Sequence, residues 1–335
     1  MELIDTVVVS TRVRLARNFA AYPFPHRMRD RKIADTIISE VKEVLDGIDD
    51  FTLYRMDRLP VDTISSLRER HLISAALLSR PEISAVLLNS DDTVSVMVNE
   101  EDHLREQCLL SGYNIWTCYE VLSGIDDELS RISLLAFDEH FGYLTACPTN
   151  MGTGMRCSVM LFLPGLTWTN GIDALCEKIF HLGFVLRGED GEGSYASGCL
   201  YQLSNEVTLG ISEEKLLTEV NNVVLKIVQY EGEERRKLYA SDRIALRDRV
   251  GRAYGILSNC SLLSYEEFLC LYTDLKLGLF LGILKGDIEG VNRLYFRMND
   301  AALRRERKKG LSERELLAYR AEVLGMELEL LIQKR

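Results

Sequence analysis

The chain has 335 residues, 47% of them hydrophobic, and a formal net charge of -11, which is enough apolar material for a buried core and a length that suggests two domains. With six prolines and no Gly/Ser-rich stretch, low-complexity disorder is excluded and any domain boundary is a short joint. The acidic balance argues against wholesale nucleic-acid binding, and the longest apolar run, Leu277 to Leu284, is eight residues against the roughly 20 needed to cross a bilayer.

The start, Met1-Glu2-Leu3-Ile4-Asp5, carries acids where a signal peptide carries bases, so a chain beginning as mature cytoplasmic protein is expected. VVVSTRVRLAR, Val7 to Arg17, is rich in β-branched residues. As a strand it sets Arg12 and Arg14 on one face and Val13 on the other, so two guanidinium forks converge. A solvated edge strand kept from aggregation by its arginines has the same pattern. Thr93 to Asn99 alternates and predicts a half-buried strand. The acids Glu100, Glu101 and Asp102 follow it, with Arg105 four residues past Glu101, a separation that stacks the two if a helix starts here.

Cys147-Pro148-Thr149-Asn150-Met151-Gly152-Thr153-Gly154-Met155-Arg156 sets a thiol against a proline and ends on an arginine; Cys157 to Leu163 then reads as a strand. Arg187 opens an acidic glycine loop running through Glu192 that is neither a Walker A loop nor GxGxxG. Cys199 to Leu203 and Val207 to Leu209 predict a hairpin turning at Ser204-Asn205-Glu206. From Ser212 the period changes: Leu216, Val220, Val223 and Ile227 share a helical stripe, with Glu213 and Glu214 in the first turn.

After Lys237 the pattern is helical only. Leu246, Val250, Ala253 and Leu257 make one stripe, and Ser264 with Glu267 and Ser312 with Glu315 have the capping-box spacing. The expected class is therefore α+β: an antiparallel or mixed sheet flanked by helices over residues 1–240, followed by a small all-helical C-terminal domain over 241–335. Eight cysteines without a CxxC pair suit reduced thiols rather than a structural metal site.

Arg12, Arg14, Arg105, Arg156 and Arg187 suit a polyphosphate, because planar guanidinium forks bind phosphate bidentately and stay charged. They can offset the charge that spreads over a transferring phosphoryl group. Glu101, Glu192 and Cys147 suit a cationic acceptor. A guanidinium is such a group, with a pKa above ~12, and carboxylates gripping its N–H groups can both aim a nitrogen and take its proton.

In this order, STRVR, NEEDHLR, CPTNMGTGMR and RGEDGE resemble the catalytic signature of the ATP:guanidino phosphotransferases, or phosphagen kinases, over residues of about 7 to 230. The helical part after this region, with six residues before Val7, is similar to the bacterial protein-arginine kinases of the McsB type. The resemblance implies ATP with Mg²⁺ as cofactors and Ser10, Arg12, Arg14, His71, Arg105, Arg156 and Arg187 as ATP ligands. It implies Glu101 and Glu192 as guanidinium-handling carboxylates, Cys147 as the thiol beside the guanidinium, and no protein metal ligand, the phosphates holding the Mg²⁺. His71, followed by Leu72 and Ile73, also reads as a helix-surface or core residue.

The activity so implied is phosphorylation of arginine side chains on other proteins, in protein quality control. Its partners are proteins with exposed arginines, an activator, and chaperone, protease or repressor proteins; a homodimer is compatible, and neither membrane nor direct nucleic-acid contact is expected. A kinase of a free guanidino compound and a nucleotide-binding adaptor acting through the helical domain are the alternatives. The RDxxRA element by which such kinases bind phosphoarginine is reduced here to Arg320 and Ala321, in Leu316-Leu317-Ala318-Tyr319-Arg320-Ala321. Arg304 to Lys309 is a basic run that reads as a solvated helix end.

Overall fold

The fold is that of a computed structural model and is described for residues 2–188, 197–307 and 310–333. Its first half runs α1 (Leu3–Val7), β1 (Val8–Arg17), α2 (Arg31–Asp46), β2 (Thr52–Arg55), α3 (Val61–Glu69), β3 (Ala85–Leu88), β4 (Val94–Val98), β5 (Leu104–Ser111), α4 (Ile115–Leu129), β6 (Phe137–Asp138), β7 (Gly142–Tyr143) and β8 (Met155–Phe162). Then come α5 (Pro164–Trp168), α6 (Ile172–Phe180), β9 (Phe184–Gly188), β10 (Leu200–Asn205), α7 (Glu213–Ser241), α8 (Arg243–Asn259), α9 (Tyr265–Phe280), β11 (Lys285–Gly286), α10 (Ile288–Arg297), α11 (Asp300–Arg307), α12 (Glu313–Leu331) and β12 (Ile332–Gln333).

Eight strands form one sheet in the order β2-β3-β4-β5-β1-β8-β10-β9. The pairs β2/β3, β3/β4, β4/β5 and β1/β5 are antiparallel, in keeping with the expected α+β class. The chain divides into two compact units, Ser10–Ser158 with Ser204–Asn222, and Met1–Val9 with Val159–Leu203 and Val223–Arg335.

In the first of these, α2 buries Ala34, Ile37, Ile38, Val41 and Leu45, a 3–4 spacing that puts one apolar stripe toward the core. Its N-terminus is closed by Asp30, whose carboxylate accepts from Lys32 N at 2.8 Å, satisfying a donor the helix itself leaves open. Two expectations fail here. Residues 104–111 form β5 and not a helix, because Asn99, at φ +58°, turns the chain back and its N–H donates to His103 O at 2.9 Å. The second hairpin arm at Val207 to Leu209 is also absent, since those residues are not a strand. Asn205 Nδ2 donates to Val207 O at 3.2 Å, which bends the chain locally. Thr208 Oγ1 then donates to Thr149 O at 3.0 Å and Met151 O at 2.7 Å.

In the other unit, helices α8 to α12 share a core with residues far away in sequence: Val9, Phe162 and Leu200 are buried in one cluster with Leu257, Phe268, Leu294 and Leu324. The two-residue ladder of β11 and β12 makes the C-terminal region slightly less than all-helical. Both predicted caps form, Ser312 Oγ accepting from Glu315 N in a full capping box and Ser264 Oγ accepting from Glu267 N. The Leu316 to Ala321 stretch is core: Leu316 and Arg320 are buried, and Arg320 donates to Met298 O and Leu263 O, each at 2.8 Å, and to Asp300. Its guanidinium is therefore spent inside the fold. All eight cysteines are free thiols, and no described helix is long and apolar enough to cross a membrane.

Lys276 on α9 is 0% exposed. Its Nζ has no hydrogen-bond partner among the described residues and lies 4.7 Å from the centre of the Phe162 ring. Burial and the nearby Arg235 hold its pKa well below the usual lysine value. The unfolded chain protonates this lysine up to a pH of about 10.5, so below that pH the unfolded state binds the extra proton and stability rises with pH. Lys276→Met is expected to stabilise the protein at neutral pH by about 1–3 kcal/mol. It should also flatten the dependence of unfolding free energy on pH between 7 and about 10; urea titrations at several pH values measure both, and a destabilised variant contradicts them.

Candidate active site

β1 and β5 pair so that Arg14 faces Gln107, Ala16 faces Arg105 and Arg12 faces Leu109. Directly opposed residues share a face of the sheet, so Arg12, Arg14 and Arg105 all project to one side. Arg156, on β8 next to β1, joins them. Burial and the Arg105 and Arg156 cations push the Arg12 pKa down to about 10, and burial with Arg12, Arg105 and Arg156 pushes Arg14 well below its usual value. Arg14 Nε has no hydrogen-bond partner among the described residues. Like charges this close are costly unless an anion sits among them.

Arg14, Arg105 and Arg156 line a cavity of about 180 Å³, and Glu101, Cys147, Thr149 and Asn150 line it too. Glu101 is exposed, carried on the turn between β4 and β5. Arg105 pairs not with Glu101 but with its neighbour: Nη1 lies 2.8 Å from Glu100 Oε1 and 3.1 Å from Oε2. Glu100 also accepts from Ser74. This leaves Glu101 on the rim, where a cationic acceptor can reach it. Cys147 is half-buried, with Sγ 3.0 Å from Thr149 Oγ1.

The loop bearing Cys147 is pinned from below. Asp102 Oδ1 accepts from Ala146 N and from Asn18 Nδ2, both at 2.6 Å, and the same Nδ2 donates to Leu144 O at 3.0 Å. Burial raises the Asp102 pKa against the pull of these two donors. Farther along, Arg17 Nη1 donates to Thr153 O at 2.9 Å and its guanidinium stacks 3.7 Å from the Tyr143 ring centre. Arg17 Nε and Nη2 meet Asp126 and Glu213. Burial lowers the Arg17 pKa, but Asp126 and Glu106 raise it more; burial and Asp126 in turn lift Glu106 well above the carboxylate range. Gly154, at φ +61°, comes so close that a Cβ there would stand 2.6 Å from Ala16 O, which is why the loop needs glycine at this point.

The other sequence-derived candidates fall as follows. Ser10 is buried on β1. His71 adopts φ +58°, its carbonyl accepts from Gln107 Nε2 at 2.7 Å, and desolvation of its ring plus the Arg12 cation lower its pKa; it stands with the arginines. Arg187 is exposed on β9, in the unit that does not contain the cavity. Glu192 lies outside the described residues. The sequence reading missed Glu100, Asp102, Asn18 and Arg17. For Arg17 a signal existed: its odd number puts it on the face of β1 opposite Arg12 and Arg14, with Val13 and Leu15.

Comparison with known proteins gives a consistent relationship. Residues 32–234 match the family described as ATP:guanido phosphotransferase, C-terminal catalytic domain, and residues 243–335 match the protein-arginine kinase McsB C-terminal domain. The protein-arginine kinase of Caldanaerobacter subterraneus is 40% identical over 327 residues, 96% of this chain and 97% of that one. That of Bacillus subtilis is 41% identical over 286 residues, 84% of this chain and 78% of the relative. Among solved structures, the duplicated taurocyamine kinase of Schistosoma mansoni with transition-state analogue components superposes with a TM-score of 0.61 at 26% identity, covering 69% of this chain and 34% of that one. A lombricine kinase shares the fold, with a TM-score of 0.60 at 22% identity, covering 71% of this chain and 68% of that one. With a cluster of phosphate-suited arginines, a rim carboxylate and a thiol in one cavity, and matches covering nearly its whole length, this chain belongs to the protein-arginine kinase family of ATP:guanido phosphotransferases.

Proposed function

We infer that the protein transfers the γ-phosphoryl group of ATP to arginine side chains of other proteins, giving phosphoarginine. The observation that carries this is the cavity in which Arg14, Arg105 and Arg156 stand with Glu101 and Cys147. The donor set fits a polyphosphate: several mutually repelling guanidiniums, one with an orphaned Nε, gain both charge neutralisation and hydrogen bonds from phosphate oxygens. ATP supplies the phosphoryl group when bound, and Mg²⁺ comes with its phosphates. His71 and Ser10, by this reading, contact the nucleotide, and Arg187 is assigned to it by family resemblance alone.

Each side chain then has a definite task. Arg12, Arg14, Arg105 and Arg156 hold the phosphate oxygens and offset the charge that grows there during transfer. Glu101, with Glu192 by family resemblance, grips the acceptor guanidinium and aims one nitrogen in line with the phosphorus. As the N–P bond forms and the bond to the leaving ADP oxygen breaks, the proton from that nitrogen passes to a carboxylate, for which Glu101 is the group at hand. Cys147 borders the guanidinium in the same cavity as Glu101; its role is to orient and polarise, not to form a covalent intermediate.

Asp102 is a positioning residue for this arrangement, since it holds the Cys147 loop through Ala146 N. Asp102→Ala is expected to lower kcat by roughly 10- to 100-fold, the range that follows a displacement of about 1 Å, with ATP affinity unchanged. Asp102→Asn keeps an acceptor oxygen and should recover most of the loss. An equal loss in both variants would mean that the charge, not the loop, matters.

Incubation of the purified protein with labelled ATP and an arginine-containing protein tests the activity. The phosphoramidate product is acid-labile, whereas label that survives acid and maps to hydroxyl side chains refutes the reading. The same proposal includes an activator, chaperone or protease partners and a homodimer, each tested by co-purification from a native source, and a cytoplasmic site of action, tested by cell fractionation.

A further inference from the structure

The segment from Leu134 to Tyr143 keeps three large apolar side chains in water: Leu134 is 80% exposed, Phe137 58% and Phe141 51%. It is not loose. Ala20 N donates to Leu134 O at 2.8 Å, Ala136 N to Asn18 O at 2.7 Å and Leu144 N to Ala136 O at 2.8 Å. At its tip, Asp138 Oδ1 accepts from His140 N at 2.8 Å and Phe141 N at 3.0 Å. A fixed hairpin that holds apolar groups out of the core is an interaction surface by its physics, because water penalises that exposure.

Its place in the chain says which partner it meets. Tyr143 and Gly152 exchange backbone hydrogen bonds at 2.8 and 3.3 Å, so the hairpin and the loop carrying Cys147 are one continuous structure. The cavity lined by Cys147 and Glu101 holds about 180 Å³, room for a guanidinium beside a phosphoryl group but not for the polypeptide that bears it. The residues flanking an acceptor arginine must therefore lie on the surface that leads away from Cys147. Charge agrees: Asp138 and Glu139 sit at the tip and Glu101 at the cavity rim, all opposite in sign to a stretch rich in arginine.

We propose that the hairpin Leu134–Tyr143 is the docking surface for the polypeptide flanking the acceptor arginine, and that it favours segments with apolar and basic residues. The proposal rests on the protein-arginine kinase reading above and adds to it how a protein is told from a free guanidino compound. Apolar side chains of the substrate cover Leu134 and Phe141, and its basic residues face Glu139.

The test compares two acceptors with the full chain: a peptide of one arginine flanked by apolar and basic residues, and Nα-acetyl-arginine methylamide, which has no flanks. The variants are Leu134→Ser with Phe141→Ser, and Glu139→Lys; Phe137 is left alone because its ring packs edge-on against Tyr143, which covers Arg17. For each variant KM for the peptide should rise roughly tenfold, the equivalent of burying part of one or two side chains, with kcat unchanged, since such contacts bind ground and transition state alike. Kinetics on the small acceptor and the thermal midpoint should stay at wild-type values. Unchanged peptide KM overturns the proposal, and so does a parallel loss on both acceptors, which would make the hairpin a support for the Cys147 loop only. If the wild-type protein phosphorylates neither acceptor, the functional reading itself fails and takes the docking surface with it.

Discussion

Glu101→Gln is expected to lower kcat for transfer to a protein arginine by roughly 10²- to 10⁴-fold, the usual worth of a positioned acid–base group, while ATP binding stays intact. The side chain sits at the cavity rim with Arg105 already claimed by Glu100, so no phosphate ligand is released by the change. Glutamine keeps the shape and one acceptor oxygen, and so can still aim a guanidinium N–H. What it cannot do is take the proton that must leave as the N–P bond forms, and an acceptor with a pKa above ~12 gives that proton up reluctantly. Glu100→Gln should behave differently. It removes the partner of Arg105 from a buried position and should act on ATP affinity and stability more than on kcat. Cys147→Ser, which touches orientation and not proton transfer, should cost only roughly 10- to 100-fold. Steady-state kinetics with an ATP-binding titration separate these cases. If Glu101→Gln raises KM and leaves kcat alone, the carboxylate is an electrostatic lure and the proton goes elsewhere.

How much of this site could be read beforehand follows from which residues act through local periodicity. Arg12 and Arg14 were legible because a strand of period two must put them together, and their convergence with Arg105 then follows once β1 and β5 pair in register. The partner of Arg105 was not legible. Spacing suggested Glu101 through a helix, but Asn99 in the left-handed region turns the chain back into β5, and in that geometry Glu100 reaches Arg105 instead. Asp102 and Asn18 lie 84 positions apart in sequence, and their joint hold on the Cys147 loop, Asp102 through Ala146 N and Asn18 through Leu144 O, exists only in three dimensions. The break after Asn205 was misread for a related reason. Ser-Asn-Glu looks like a hairpin turn, yet the Asn205 carboxamide is engaged with Cys157 N and Met155 O, and the chain leaves the sheet. In the helical region the caps and stripes were clear from spacing alone. That these helices share their core with Val9, Phe162 and Leu200 was invisible, because no local pattern marks which distant strand residues a helix will cover.

That shared core carries a second large effect. Glu231 and Arg235 on α7 are both 0% exposed in their side chains and pair at 2.5 Å. Glu231 Oε1 also accepts from Gly165 N at 2.8 Å and Oε2 from Leu166 N at 2.9 Å, donors that the short helix α5 leaves open at its start. Arg235 donates onward to Phe162 O at 2.8 Å and Thr6 Oγ1 at 3.1 Å. Burial raises the Glu231 pKa and lowers that of Arg235, so desolvation opposes the pair, and the attraction between the two charges, helped by the hydrogen bonds, works against it. Glu231→Ala removes the counter-charge and orphans two N–H groups, with an expected cost of about 3–5 kcal/mol. Replacing both partners, Glu231→Leu with Arg235→Met, should cost distinctly less than the single change, because no buried charge is then left alone. Denaturant unfolding measures the difference. A single variant within about 1 kcal/mol of wild type would mean that water reaches Arg235 and that the pair is not sealed. Cutting the chain at residue 240 is the cruder experiment, since it would bare Val9, Phe162 and Leu200 along with any function the helices have. Point changes that spare this core are the cleaner way to ask what the C-terminal helices do.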